Sequence, residues 1–215
     1  MIHYLREKNP DLPLYAVTDP TFASFGRVLE LDTAAILAVA KAIDNPTEGS
    51  SYLPQVDAFE ALPVAAEIQE RFFGTMPTQV GYCWGYSHQL NGAEWHTSSE
   101  VNIAVTDLVL LLGHVWDLKE GEIDASAFTA FYVPAGTVIE VYATSLHFCP
   151  CQVAEGGFGC VVALPAGTNT PLEQPTEDPL LFRRNKWIVA HRDNPALIAR
   201  GVVVGISGEN TEIHY

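Results

Sequence analysis

Residues 92–100 read GAEWHTSSE and place Glu94, His96 and Glu100 within seven positions. One imidazole and two carboxylates form a donor set suited to Mn, Zn or Fe, and a carboxylate in such a site can also move protons. In an extended strand alternate residues share a face. Glu94, His96, Ser98, Glu100 and Asn102 would then point one way, and Ala93, Trp95, Val101 and Ile103 the other. Such a polar face is either the wet side of an outer strand or the wall of a polar cavity. Charge distribution bears on the choice, because no Lys or Arg occurs between Phe72 and Leu118. Buried carboxylates need a cation, a proton or strong hydrogen bonds. If Glu94 and Glu100 are buried, a divalent metal ion is the expected partner.

Other groups able to do chemistry follow at intervals. Glu140 lies in IEVYATSLH, flanked by Val138, Ile139 and Val141, an expensive place for an idle carboxylate. Tyr142 and Thr144 share its face, so surface alternation is the plainer account. His147 has the opposite parity, so the two reach one site only through a bulge or a turn. His88, Tyr86 and Asn91 lie in WGYSHQLN, at a cavity mouth or within a hairpin. The segment LFRRNKWIVAHR holds four of the eleven Lys and Arg residues. Arg183, Arg184 and Lys186 there either meet an anionic group of a substrate or form a solvated strand face. Cys83, Cys149, Cys151 and Cys160 read as reduced thiols, and Cys149-Pro-Cys151 lacks a second pair to complete a zinc site.

The elements that must position these groups change character along the chain. Asp32–Ile43 and Asp57–Phe73 carry helical spacing, with Pro63 a break or a late first turn and Gly74 a stop. From Thr78 onward short runs of Val, Ile, Tyr, Phe and Thr alternate with Gly, Pro, Asn and Asp. Seven or more short strands without an intervening helix predict an antiparallel sandwich or barrel. Two Pro-Ala-Gly-Thr turns, at 134–137 and 165–168, require positive φ at glycine. The expected fold is mainly β, with residues 1–75 a helical extension packed on a β-barrel domain of residues 76–215.

Bulk properties exclude several functions. The 26 acidic residues against 11 basic ones give a net charge of −15, which repels nucleic acid. The apolar runs are too short to span a bilayer, and the start MIHYLREKNPDLP has no apolar signal region. A cytoplasmic protein acting on a small molecule, with no nucleic-acid or membrane partner, is expected.

Glu94-x-His96-x-x-x-Glu100 followed by Pro134-Ala-Gly136 resembles the two motifs of the cupin superfamily, G-x5-H-x-H-x3,4-E-x6-G and P-x-G-x2-H. Glu94 stands where the first histidine of that pattern would be. The second motif would place histidine at position 139, which is Ile139, so Glu140 or His147 must substitute. The phrases GAEWHTSSEVNIAVTDLVLLLG, FYVPAGTVIEVYATSLHFCPC and VVALPAGTN are similar to a bacterial cupin family of about this length, over roughly residues 78–210. The resemblance implies a double-stranded β-helix (jelly-roll) barrel with an internal site, and a homodimer. Sugar-isomerase cupins such as D-lyxose isomerase and 5-keto-4-deoxyuronate isomerase are similar in using His, Glu and a later His. On that basis His96, Glu100 and His147 are expected to hold the ion, with Glu94 and Glu140 as proton carriers or the remaining ligand. His88, Tyr86, Asn91, Tyr142 and Lys186 are expected to meet substrate. The implied reaction is aldose–ketose isomerisation of a sugar or sugar acid. The alternatives are a lyase or hydrolase on a small carboxylated or ureido compound, as in ureidoglycolate lyase, and a non-catalytic sugar-binding cupin.

Overall fold

The computed structural model describes residues 1–215 and is mainly β. The chain opens with helix α1 (Ile2–Lys8), strands β1 (Leu14–Ala16) and β2 (Gly26–Leu29), and helix α2 (Ala34–Ala40). Strand β3 (Ser50–Leu53) and helices α3 (Asp57–Glu60) and α4 (Pro63–Phe73) follow. Next come β4 (Thr78–Gly85), β5 (Gly92–Trp95), β6 (Glu100–Ala104), β7 (Leu108–His114) and β8 (Ile123–Asp124). Strands β9 (Thr129–Val133), β10 (Val138–Val141), β11 (Ser145–Leu146) and β12 (Cys151–Gln152) lead to β13 (Phe158–Pro165). The chain ends through β14 (Leu181–Arg183), β15 (Lys186–His191), helix α5 (Pro195–Ala199) and β16 (Val204–Ser207).

Three sheets form the wall. The largest runs in the order β2-β10-β6-β13-β4-β3. A second runs β1-β9-β7, with β11 and β12 both pairing with β7. The third runs β14-β15-β16-β8, with β5 on the other side of β15. Most neighbours are antiparallel as expected, but β1–β9, β15–β16 and β16–β8 are parallel. A pair of backbone bonds between Glu94 and His147 links β5 to the segment after β11, and so joins the second sheet to the third.

Alternation explains the layering. Leu108, Leu110 and Leu112 of β7 face inward against Ile139, Val141, Cys160, Val162 and Leu164 of the large sheet. Val109 and Leu111 face the other way, onto Ala93, Val189 and Ile206. Both faces of β7 are therefore covered, which is why its sequence is a continuous apolar run rather than an alternating one. The outer face of the large sheet, through Val80, Val101, Ile103 and Val161, buries Ile36 of α2, Phe59 of α3 and Ile68 of α4.

The predicted helix at 57–73 is two helices. Pro63 occupies the first turn of α4, where its missing N–H costs nothing, and Leu62 before it is extended. Gly74 closes α4 at φ 57°. Gly136 and Gly167, in the two Pro-Ala-Gly-Thr turns, adopt φ of 82° and 86°. The first 75 residues are not only helical. Their β1, β2 and β3 pair with β9, β10 and β4, so this segment supplies strands to the barrel sheets as well as a helical cover. These strands are three or four residues long with little burial alternation, and that leaves no period to read. No helix is long and apolar enough to cross a membrane.

Phe131 centres the inner core, fully buried with Tyr15, Phe22 and Phe25 at ring separations of 6.2, 5.2 and 5.1 Å. Phe131→Ala removes contacts to both the N-terminal aromatic residues and the barrel. It should cost about 3–5 kcal/mol of unfolding free energy, read as a lower urea midpoint.

Candidate metal centre and cavity

The stretch GAEWHTSSE is not one strand. The chain leaves β5 at Trp95, bends through His96–Ser99 and re-enters the large sheet as β6 at Glu100. Asn185 fixes the bend: its side-chain Oδ1 accepts from Thr97 N at 3.0 Å and Thr97 Oγ1 at 2.6 Å. Glu94 and Glu100 thus come from two different sheets, and they still converge because the bend folds one wall onto the next.

His147 arrives by a third route. After β10 the chain turns at Tyr142–Thr144 and starts β11 against β7, so the parity that separated Glu140 from His147 does not apply. Glu94 N donates to His147 O and His147 N to Glu94 O, and directly opposed residues of this kind place their side chains on one face.

Each imidazole is held by its Nδ1. His96 Nδ1–H donates to Asn185 O at 2.6 Å, and His147 Nδ1–H to Ser145 O at 3.1 Å. Both Nε2 atoms are buried, and neither makes a hydrogen bond of good geometry. They point at the same carboxylates. His96 Nε2 lies 4.0 Å from Glu94 Oε1 and 3.7 Å from Glu100 Oε2. His147 Nε2 lies 3.9 Å and 3.2 Å from the same two atoms. Ligands about 2.1 Å from one ion sit about 3.0–4.2 Å apart in tetrahedral or octahedral geometry, so these spacings suit a first-row divalent ion. The ligand atoms of Glu94, His96 and His147 all lie within 4.8 Å of one another. Imidazoles steered by carbonyls, with orphaned Nε2 atoms facing carboxylates, fit a metal ion.

The carboxylates are steered too. Asn102 Nδ2 donates to Glu100 Oε1 at 2.7 Å, and the Cys160 thiol donates to Asn102 Oδ1 at 3.2 Å. Glu94 Oε2 pairs with Lys186 of β15. That pair supplies the cation that the sequence neighbourhood of Glu94 lacks: it comes from a strand beside β5 in space, distant in sequence. Burial works against charge on His147, but the Glu100 carboxylate beside it outweighs burial and lifts its pKa to about 9. Burial likewise opposes ionisation of Glu100, yet His147, His96 and Asn102 together hold it at about 2. Burial, with the nearby His147 charge, lowers the pKa of His96.

Glu94, Glu100 and His147, though not His96, line a cavity of about 460 Å3, bordered also by Leu110, Val162, Leu164 and Ile188 and by Tyr52, Cys83, Cys149 and Asn169. Lys186, expected near substrate, is part of this wall. Tyr86, His88 and Asn91 border an adjoining cavity of about 520 Å3 that shares Ser50, Phe148, Cys149, Leu197 and Arg200 with the first. Glu140 and Tyr142 border neither. Glu140 shares its face with Val138, on the helix side of the large sheet, and is paired with Arg27 at 2.7 Å. Of its buried neighbours Val138 reflects the covered outer face and Ile139 and Val141 the inner core, so Glu140 itself faces away from the cluster and the expectation of a catalytic Glu140 is corrected. Trp84 and Trp95 stack on Tyr82 and Trp187. Sequence reasoning missed Tyr52, Asn169, Asn185 and Arg200; only Asn185 carried a signal, as a turn residue between Arg184 and Lys186.

Among solved structures, the chain is similar to Bacillus subtilis oxalate decarboxylase. A structure of that enzyme at pH 4.6 matches at 10% identity over 45% of this chain and 23% of that one, with a TM-score of 0.32. A structure of the same enzyme determined for its Mn(II) centres matches at 9% identity over 56% and 27%, with a TM-score of 0.34. The aligned region thus spans about a quarter of those longer chains. No curated protein matches the sequence. Residues 14–211, almost the whole chain, match the model of one domain family, and the protein therefore belongs to DUF4867, a domain family of unknown function.

Proposed function

We propose that this protein is a divalent-metal enzyme acting on a small polyhydroxylated compound, and that it interconverts the aldose and ketose forms of a sugar or sugar acid. The observation that carries the reading is the pair of buried imidazoles, each locked by a backbone carbonyl, with both Nε2 atoms directed at the same two carboxylates beside a cavity. His96, Glu100 and His147 would hold the ion. When bound, such an ion supplies a Lewis acid that polarises a carbonyl and the neighbouring hydroxyl.

The chain's own groups supply the rest. Glu94 is the most accessible of the four, with 14% of its side chain exposed against 1–8% for the others. Lys186 holds Oε2 and leaves Oε1 turned toward the imidazoles, so the carboxylate stays in place while it takes a proton from one carbon and returns it to the next. Asn102 keeps Glu100 from rotating away. Leu110, Val162, Leu164 and Ile188 limit water around the reacting carbons. A lyase acting on a carboxylated compound is the second reading, favoured by Arg183 in the cavity wall; Arg184 is turned away toward Glu173.

Elemental analysis of protein purified without chelator should find about one Mn, Zn or Fe ion per chain. His96→Ala, Glu100→Gln and His147→Ala should each lose it, and retention of a full complement in the first two would sink the assignment. Glu94→Gln should keep the metal yet slow deuterium exchange next to the substrate carbonyl by about 10²–10⁴-fold, followed by NMR across pentoses, hexoses and uronates.

Metal affinity should also depend on pH with a defined sign. Below about 9 the metal-free His147 carries a proton that an ion must displace, whereas Glu100 is already ionised and burial favours the neutral form of His96. Between about 6.5 and 9 the affinity for Mn(II) should rise by roughly tenfold per pH unit, with about one proton released in calorimetry. A flat profile would show that metal binding does not displace a proton from His147.

A further inference from the structure

We infer that the substrate carries an oxyanion, a carboxylate or a phosphate, and that Arg183 and Arg200 bind it at the mouth of the cavity. This rests on the cavity being the substrate site.

The chain has only 11 Lys and Arg residues against 26 acidic ones, yet Arg183, Lys186 and Arg200 border this one cavity. Lys186 is engaged by Glu94. The two arginines are not engaged. Neither guanidinium makes a hydrogen bond or an ion pair within the protein, whereas Arg27, Arg71 and Arg184 pair with Glu140, Glu67 and Glu173. One aromatic ring gathers them: the Arg183 and Arg200 Cζ atoms lie 4.9 and 5.6 Å from the centroid of Phe182. They reach it from separate elements, Arg183 ending β14 and Arg200 following α5. Two like charges held beside one ring, in a protein so acidic, form a receptor for an anion with several oxygens.

A second group describes the rest of the ligand. Asn169 borders the same cavity and donates through Nδ2 to the Tyr52 hydroxyl at 3.1 Å. Its Oδ1 is buried and accepts from nothing. The residue is held at φ 69°, an uncommon conformation for a non-glycine residue, and a buried acceptor without a donor is costly. A substrate hydroxyl supplies the missing donor. Two carboxylates and the His147 imidazole at the wall, an orphan acceptor in the same cavity and two free guanidiniums at the mouth together complement a hydroxylated acid or a sugar phosphate. The cavity, at about 460 Å3, has room for a five- or six-carbon compound.

The test is calorimetric binding to the full chain, with and without added Mn(II). It uses matched ligands: D-glucuronate against D-glucose, D-galacturonate against D-galactose, and D-glucose 6-phosphate. At least one anion should bind at least about tenfold more tightly than its neutral parent, and a uronate or a phosphate winning names the source. Arg183→Gln and Arg200→Gln should each weaken that anion by about tenfold and leave the neutral sugar unchanged, with thermal unfolding confirming that both variants fold. Equal binding of acids and neutral sugars, no binding of any anion, or unchanged anion affinity in both variants would overturn the inference. Anion preference in protein that takes up no metal supports the arginine site while sinking the metal-enzyme reading. Metal uptake without anion preference sinks the arginine site alone.

Discussion

Glu94 and His147 exchange two backbone hydrogen bonds, and most of the site depends on that short bridge. It ties β5, in the third sheet, to the chain just beyond β11, in the second. Without it the two sheets would meet only through side chains, and the imidazole would have no fixed position relative to the carboxylate. Directly opposed residues in an antiparallel pair place their Cβ atoms about 4.5–5.5 Å apart on one face. Here that general spacing becomes a specific one, 3.9 Å between His147 Nε2 and Glu94 Oε1. Backbone pairing sets the donor spacing, and the side chains need only small adjustments.

Charge is arranged around the same point. Two carboxylates this close would repel in a dry interior, and each has its own compensation. Glu100 leans on His147 and Asn102, and Glu94 on Lys186. Both carboxylates are therefore compensated by the protein's own groups, while both Nε2 atoms remain poorly satisfied. Partial satisfaction of this kind suits a site that must accept a ligand, since complete internal pairing would compete with it.

Much of the barrel could be read from the residues. Leu108–Leu112, Phe128–Val133 and Gly159–Leu164 are β-rich runs set off by Gly and Pro, and each forms a strand within a residue or two of those bounds. The turn glycines and the stop at Gly74 follow from backbone sterics alone. The candidate residues Glu94, His96, Glu100 and His147 converge, although not by the route alternation suggested. Nothing in Thr97-Ser98-Ser99 forbids a strand, and the group that bends it, Asn185, is 88 residues away. The charge argument failed for Glu94 for the same reason, since Lys186 is a neighbour only after β5 pairs with β15. Glu140 misled because covered outer and inner faces look alike in sequence; what separates them here is that Val138 and Glu140 face the helices while Ile139 and Val141 face the core.

The two-residue turn between β14 and β15 has a mechanical consequence. Within four consecutive residues it holds Arg183 at the mouth, Asn185 behind His96, and Lys186 against Glu94. The hairpin is thus a lever with one arm at the entrance and the other at the floor. One or two peptide units separate the outer arm from the groups that aim an imidazole and a carboxylate. Arg183, Asn185 and Lys186 share the same few backbone torsions, so a change in the hairpin's geometry would be felt at Phe182, His96 and Glu94 together.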